Sequence, residues 1–134
     1  MTRFLVDSNV LLDIATADTI WRGWSQERIR HAIGNGMVFV NPIIYAEVSP
    51  AFTDAQALDK WLDPVFFRRS PIPYSAGWFA AQAFLKYRRA GGLRHSPLPD
   101  FFIGAHAQVA ELTLITRDAT RYRTYFPQVK LITP

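Results

Sequence analysis

Four carboxylates stand where this sequence could do chemistry: Asp7, Glu47, Asp100 and Asp118. Asp7 follows the apolar run Phe4-Leu5-Val6 and precedes Val10, Leu11, Leu12 and Ile14, whose spacing is helical. It therefore lies between a strand and a helix, and reads there as either a helix cap or a catalytic carboxylate. Asp118 follows a second apolar run, Leu112 to Thr116. Two parallel strands, each followed by an aspartate, set both groups on one rim of a sheet, where open α/β sheets place ligands. Asp100 opens a helix after a loop, and Glu47 interrupts the apolar segment Ile43 to Val48, where an unpaired charge is costly. Such carboxylates converging on one cleft would repel one another, and a divalent cation relieves that.

The chain has no cysteine and no well-spaced histidine pair, so the donors are all oxygen. That set favours Mg²⁺ or Mn²⁺ over Zn²⁺. A site of this kind activates water and stabilises charge on a phosphoryl group in transit.

The elements that must hold these groups alternate along the chain. Strands are expected at Phe4–Val6, Met37–Val40, Val65–Arg68, Leu112–Thr116 and Val129–Ile132. Between them the first helix follows Asp7, and a second, capped by Asp18 or Thr19, runs to about Ile33. Gly34-Asn35-Gly36 ends that helix in a left-handed turn. Asn41-Pro42 opens a helix over Ile43 to Val48, with asparagine at the cap and proline in the first turn. Thr53 caps a helix from Asp54 to Leu62, and Ser75 starts a long one to Ala90 that Gly91-Gly92 stops. Pro99-Asp100 opens another to about Glu111, and Ala119 to Tyr125 forms a short last one. Alternating strands and helices give a mainly parallel sheet covered on both faces, an α/β fold. Neither a repeat nor a linker divides residues 1–134, so one domain is expected.

The balance of the remaining residues bears on partners. Hydrophobic residues make up 49% and charged ones 19% of 134, which excludes a disordered segment. Three residues precede the first strand, leaving no expected secretory signal. No apolar run approaches the roughly 20 residues of a membrane span. With no disulfides available, a reducing, cytoplasmic setting is expected. The net charge is +4, and twelve of fifteen basic residues are arginine. With four of eleven acidic residues gathered in one cleft, seven remain against those fifteen, a surface suited to a polyanion.

Phe4-Leu5-Val6-Asp7-Ser8-Asn9-Val10-Leu11-Leu12, Tyr45-Ala46-Glu47-Val48, Leu98-Pro99-Asp100-Phe101-Phe102-Ile103-Gly104-Ala105 and Leu114-Ile115-Thr116-Arg117-Asp118 resemble, in order, the four motifs of the PIN domain. The match spans almost the whole chain, and its length resembles that of single-domain VapC-type toxins. The resemblance implies a metal-dependent ribonuclease masked by a VapB-type antitoxin. It also implies an α/β/α sandwich with a five-stranded sheet in order 3-2-1-4-5 and a homodimer. On this reading Asp7, Glu47, Asp100 and Asp118 hold Mg²⁺ or Mn²⁺, and Ser8, Asn9 and Thr116 orient them. Arg94, His95 and Arg117 are expected to hold the RNA. Tyr122 stands where many relatives carry an apolar aromatic, a departure expected to leave the chemistry unaffected.

Other residues receive plainer expectations. Asp13 is expected to be solvated or tied to the helix dipole, with a role in supporting the metal-binding carboxylates as the alternative. His106 should pack inside an apolar helix, while Trp61, Phe66, Phe67 and Trp78 should serve as core or subunit contacts. Trp21 and Trp24 are candidates for a partner-binding groove.

Three other functions compete. A phosphatase working through a covalent aspartate wants a second Asp two residues past Asp7, where Asn9 stands. A non-catalytic nucleic-acid-binding module would have lost one of the four carboxylates, and all are present. A housekeeping PIN nuclease of RNA processing would share the same catalytic residues and remains the alternative to the toxin.

Overall fold

Phe4, Leu5 and Val6 are all buried although successive strand residues point to opposite faces, so this strand is covered on both sides. The computed structural model describes residues 1–92 and 98–134. The central strand is β1 (Thr2–Val6). It is flanked by β2 (Gly36–Val40) and β4 (Thr113–Ile115), with β3 (Phe67–Arg69) and β5 (Leu131–Ile132) at the edges. The order 3-2-1-4-5 is the one the resemblance implied, and every pairing is parallel. Register sets Leu5 beside Phe39 and Leu114, and Val6 beside Ile115. Residues just past Val6 and Ile115 therefore emerge side by side. Asp7 N–H continues the ladder by donating to the Ile115 carbonyl at 2.9 Å.

The helices among the described residues are α1 (Ser8–Ala15), α2 (Arg22–Asn35), α3 (Pro42–Val48), α4 (Ala55–Trp61), α5 (Tyr74–Arg89), α6 (Leu98–Val109) and α7 (Thr120–Tyr125). A short 3₁₀ turn, Ser49–Ala51, follows α3. None of the described helices is long and apolar enough to cross a membrane. Helix α3 starts as its sequence requires: Asn41 Oδ1 accepts from the Ile44 N–H at 2.9 Å, with Pro42 in the first turn.

Several boundaries differ from the sequence expectation, each for a local reason. The third strand begins at Phe67 rather than Val65, because Asp63 captures the intervening backbone. Its side chain accepts from Val65 N–H, and its carbonyl accepts from Phe66 and Phe67. Asp18 does not cap α2 directly; it accepts from Ile20 and Trp21 N–H in a turn ahead of the helix. Asp54, not Thr53, caps α4 by accepting from Ala57 N–H. Helix α2 runs through Asn35, and Gly36 is extended (φ 179°) rather than left-handed. Glycine is required there by close approach instead, since a Cβ would overlap the Thr2 carbonyl oxygen on the neighbouring strand.

Trp78 and Phe66 are not core residues: they are 67% and 49% exposed. Trp61 is partly buried against Phe52, and Phe67 packs at the core's margin. His106 is fully buried, as expected. Its Nδ1 lies 3.0 Å from Asn41 Nδ2, and burial holds its pKa below the ordinary histidine value.

Candidate active site

The C-terminal rim of β1 and β4 carries the acidic residues, and Asp7 is its centre. Asp7 follows the strand and caps α1, so the capping role expected from the sequence is present. Its carboxylate is 3% exposed and is held entirely by neutral donors. Oδ1 accepts from Ser8 N–H at 2.8 Å; Oδ2 accepts from the hydroxyls of Thr116 at 2.8 Å and Tyr122 at 2.9 Å. Asn9 Nδ2 lies 3.5 Å from the same Oδ2. Burial, opposed by the Thr116 hydrogen bond and reinforced by the Asp100 charge, pushes the Asp7 carboxyl up to about 6. Among the described residues no cation pairs with it.

Ser8 joins two of the carboxylates. Its backbone N–H serves Asp7, while its hydroxyl donates to Glu47 Oε1 at 2.8 Å. Helix α3 brings Glu47 to this point, where burial raises its carboxyl, the Ser8 hydrogen bond lowers it and Asp100 raises it further. Asp100 lies in the first turn of α6. Its Oδ2 accepts from Arg121 Nη1 at 2.7 Å. Burial raises its carboxyl against the lowering effect of Arg121, and the Asp118 charge adds to the rise. Asp118 follows β4 on the exposed rim, its N–H donating to Thr116 Oγ1 at 3.2 Å.

Thr116 and Asn9 knit the two strand ends together. Asn9 Nδ2 donates to Thr116 Oγ1 at 3.3 Å, and Asn9 Oδ1 accepts from Arg117 N–H at 3.1 Å.

Three placements differ from expectation or went unforeseen. Asp13, expected to be solvated, is 2% exposed and bound to Arg117 through two bonds, Nε to Oδ2 at 2.8 Å and Nη2 to Oδ1 at 2.9 Å. Ser25 donates a third bond at 2.8 Å. The Arg117 guanidinium also lies over the Trp21 ring, 5.5 Å from its centroid, so its charge is engaged within the protein. Tyr122, expected to be neutral to the chemistry, instead donates to the central carboxylate from a fully packed position. Burial, ahead of the Asp7 charge, raises its phenol well above the ordinary value. No local sequence signal points to this contact, since the two residues lie 115 positions apart. Arg94 and His95 lie outside the described residues.

Among the described residues no three carboxylate or imidazole groups stand close enough to form a finished metal cage. The donor chemistry nevertheless fits a hard divalent cation. The groups are all oxygen, and each of Asp7, Glu47 and Asp100 is raised by the charge of another member of the set.

The PIN domain family model matches residues 4–127. No curated protein sequence gives a match. Among solved structures the fold is similar to a chain of VapBC2 from Rickettsia felis bound to a promoter DNA fragment, with TM-score 0.74, 13% identity and 99% of each chain covered. A toxin–antitoxin complex from Klebsiella pneumoniae aligns with TM-score 0.71 and 22% identity, over 98% of this chain and 97% of that one. FitAcB from Neisseria gonorrhoeae aligns with TM-score 0.67 and 17% identity, over 96% of each. At these identities the likeness is one of fold.

Proposed function

Because this chain belongs to the PIN-domain family, we propose that it is a metal-dependent endoribonuclease of the VapC type, restrained by a VapB-type antitoxin. The observation that carries this reading is Asp7: a buried carboxylate at the tip of the central strand, supported by neutral donors and matched by no cation among the described residues. Burial of an unpaired carboxylate is destabilising, so its retention argues for a charge partner that arrives from outside.

Asp7, Glu47, Asp100 and Asp118 would hold Mg²⁺ or Mn²⁺. When bound, such a cation lowers the pKa of water and stabilises charge on a phosphoryl oxygen. The chain's own residues prepare that site. Thr116 and Tyr122 fix the plane of Asp7 through Oδ2, and Ser8 fixes the relation between Asp7 and Glu47. Asn9 locks the start of α1 to the residues after β4, so the carboxylates before and after move as one unit.

The antitoxin partner is supported by the solved relatives, which include a toxin–antitoxin complex. A homodimer is supported by α5, where Tyr74 and Trp78 project from one stripe and are 102% and 67% exposed. Val65 and Phe66 add further exposed apolar surface. Sedimentation at rising protein concentration checks this, and a monomer at every concentration contradicts it.

Incubation of the purified protein with single-stranded RNA tests the activity. Cleavage is expected with Mg²⁺ or Mn²⁺, to stop in excess chelator and to return on adding either ion. Undiminished cleavage in chelator would refute the metal-dependent reading.

A further inference from the structure

We propose that Arg121 is a phosphate-binding residue of this cleft, gripping the RNA backbone beside Asp100. This assignment rests on the nuclease function proposed above and adds the residue that meets the substrate. Arg117, the nearest sequence candidate, spends Nε and Nη2 on Asp13. Arg121 is held differently. Among the described residues it makes one hydrogen bond, from Nη1 to Asp100 Oδ2, out of the five N–H groups a guanidinium carries. Its guanidinium carbon stands 5.5 Å from the Tyr87 ring centroid and 5.9 Å from that of Phe101. Contact with two aromatic rings restrains the group at little cost in hydrogen bonds, since an aromatic face takes no N–H away from an in-plane acceptor. The side chain is 27% exposed, so it is neither sealed in the core nor loose on the surface.

Charge supplies the second reason. A polyanion entering a cleft lined by carboxylates meets repulsion, and a fixed cation at that point offsets it. The planar fork of arginine matches two phosphate oxygens at once, and the N–H groups not used by Asp100 are those left for that contact. The plain alternative is a half-exposed ion pair that serves only to neutralise Asp100, a role worth little in stability.

Binding of a fluorescently labelled single-stranded RNA, measured by anisotropy in excess chelator, separates the two without cleavage. Arg121→Gln is expected to weaken binding about tenfold, the lower range for losing a charged hydrogen bond. The slope of log affinity against log salt should become shallower by roughly 0.7, one phosphate contact to a single strand. Arg123→Gln, an equal charge change at an exposed position on the same helix, should have a clearly smaller effect. Asp100→Asn should bind at least as tightly as the wild type. The double variant Asp100→Asn/Arg121→Gln, which restores the net charge, should still bind more weakly than the wild type. If Arg121→Gln does not fold, Arg121→Lys takes its place and is expected to bind more weakly than the wild type, lacking the planar fork. Wild-type affinity in Arg121→Gln, in that lysine substitute or in the double variant would overturn the assignment. Absence of RNA binding by the wild type itself would instead remove the nuclease reading, and this one with it.

Discussion

Asp7 and Asp13 bracket one helix, both are buried, and they are treated in opposite ways. Asp13 meets a guanidinium through two bonds and a serine hydroxyl through a third. Asp7 meets a backbone N–H and two hydroxyls, with no cation among the described residues. Of the two carboxylates that bracket α1, the protein thus neutralises the one at the far end and, among the described residues, leaves Asp7 without a cation. A carboxylate near a helix C-terminus is disfavoured by the helix dipole, which gives Asp13 a further need for its arginine. The pair closes a link between α1, α2 and the segment after β4, and so belongs to the scaffold. On the function proposed here, the uncompensated charge of Asp7 is the one a metal ion would meet.

Exchanging each aspartate for asparagine should break this contrast most visibly in activity. Asp7→Asn is expected to lower RNA cleavage by more than about 100-fold, beyond the range for residues that merely support a ligand. Asp13→Asn should leave the rate per folded molecule within a few-fold. Single-turnover cleavage assays check both.

The next largest effect is a pH dependence of the metal-free protein. The Asp7 carboxyl is raised in the folded state, so the folded state binds its proton more tightly than the unfolded chain does. Its favourable contribution is complete below the unfolded value of 3.8 and is lost as pH rises through about 6. The full amplitude is on the order of 3 kcal/mol. Urea unfolding of the wild type and Asp7→Asn in chelator, at pH 4 and pH 7.5, should show the variant gaining on the wild type at the higher pH. A constant difference between them would mean that Asp7 carries no such strain.

A smaller loss is expected from the scaffold. Asp13→Asn strands the Arg117 charge and should cost about 2–4 kcal/mol, reduced from the fully buried case because part of Arg117 reaches solvent. Thermal melting at neutral pH reads it.

The smallest effect sharpens the role of Tyr122. Tyr122→Phe removes one hydrogen bond to the charged form of Asp7, which should raise that carboxyl further and cost about 1–2 kcal/mol. The cost should appear at pH 7.5 and vanish near pH 4, where Asp7 is protonated. An equal cost at both pH values would assign Tyr122 to packing alone.

The contrast also marks what a linear sequence conveys. The strand order followed from the resemblance, and the α/β class from alternating strands and helices, because hydrophobic periodicity is local and survives without coordinates. The shared rim of Asp7 and Asp118 is legible because each follows a buried strand. The Asp13–Arg117 pair was not visible, since its members lie 104 residues apart and meet only through the β1–β4 pairing. The Tyr122 contact is hidden for the same reason: its hydroxyl finds Asp7 across 115 residues. Gly36 looked like a helix terminator in sequence, yet the contact that requires it comes from Thr2 on the neighbouring strand.

The most direct measurement is the Mg²⁺-induced change in melting temperature of the wild type, Asp7→Asn and Asp13→Asn, scanned side by side with and without the ion. A ligand stabilises only the state it binds. The wild type and Asp13→Asn should rise by similar amounts on adding Mg²⁺, from different starting temperatures, while Asp7→Asn should rise little or not at all. An equal rise in Asp7→Asn and wild type would contradict the assignment of Asp7 as the centre of a metal site and leave it a helix cap.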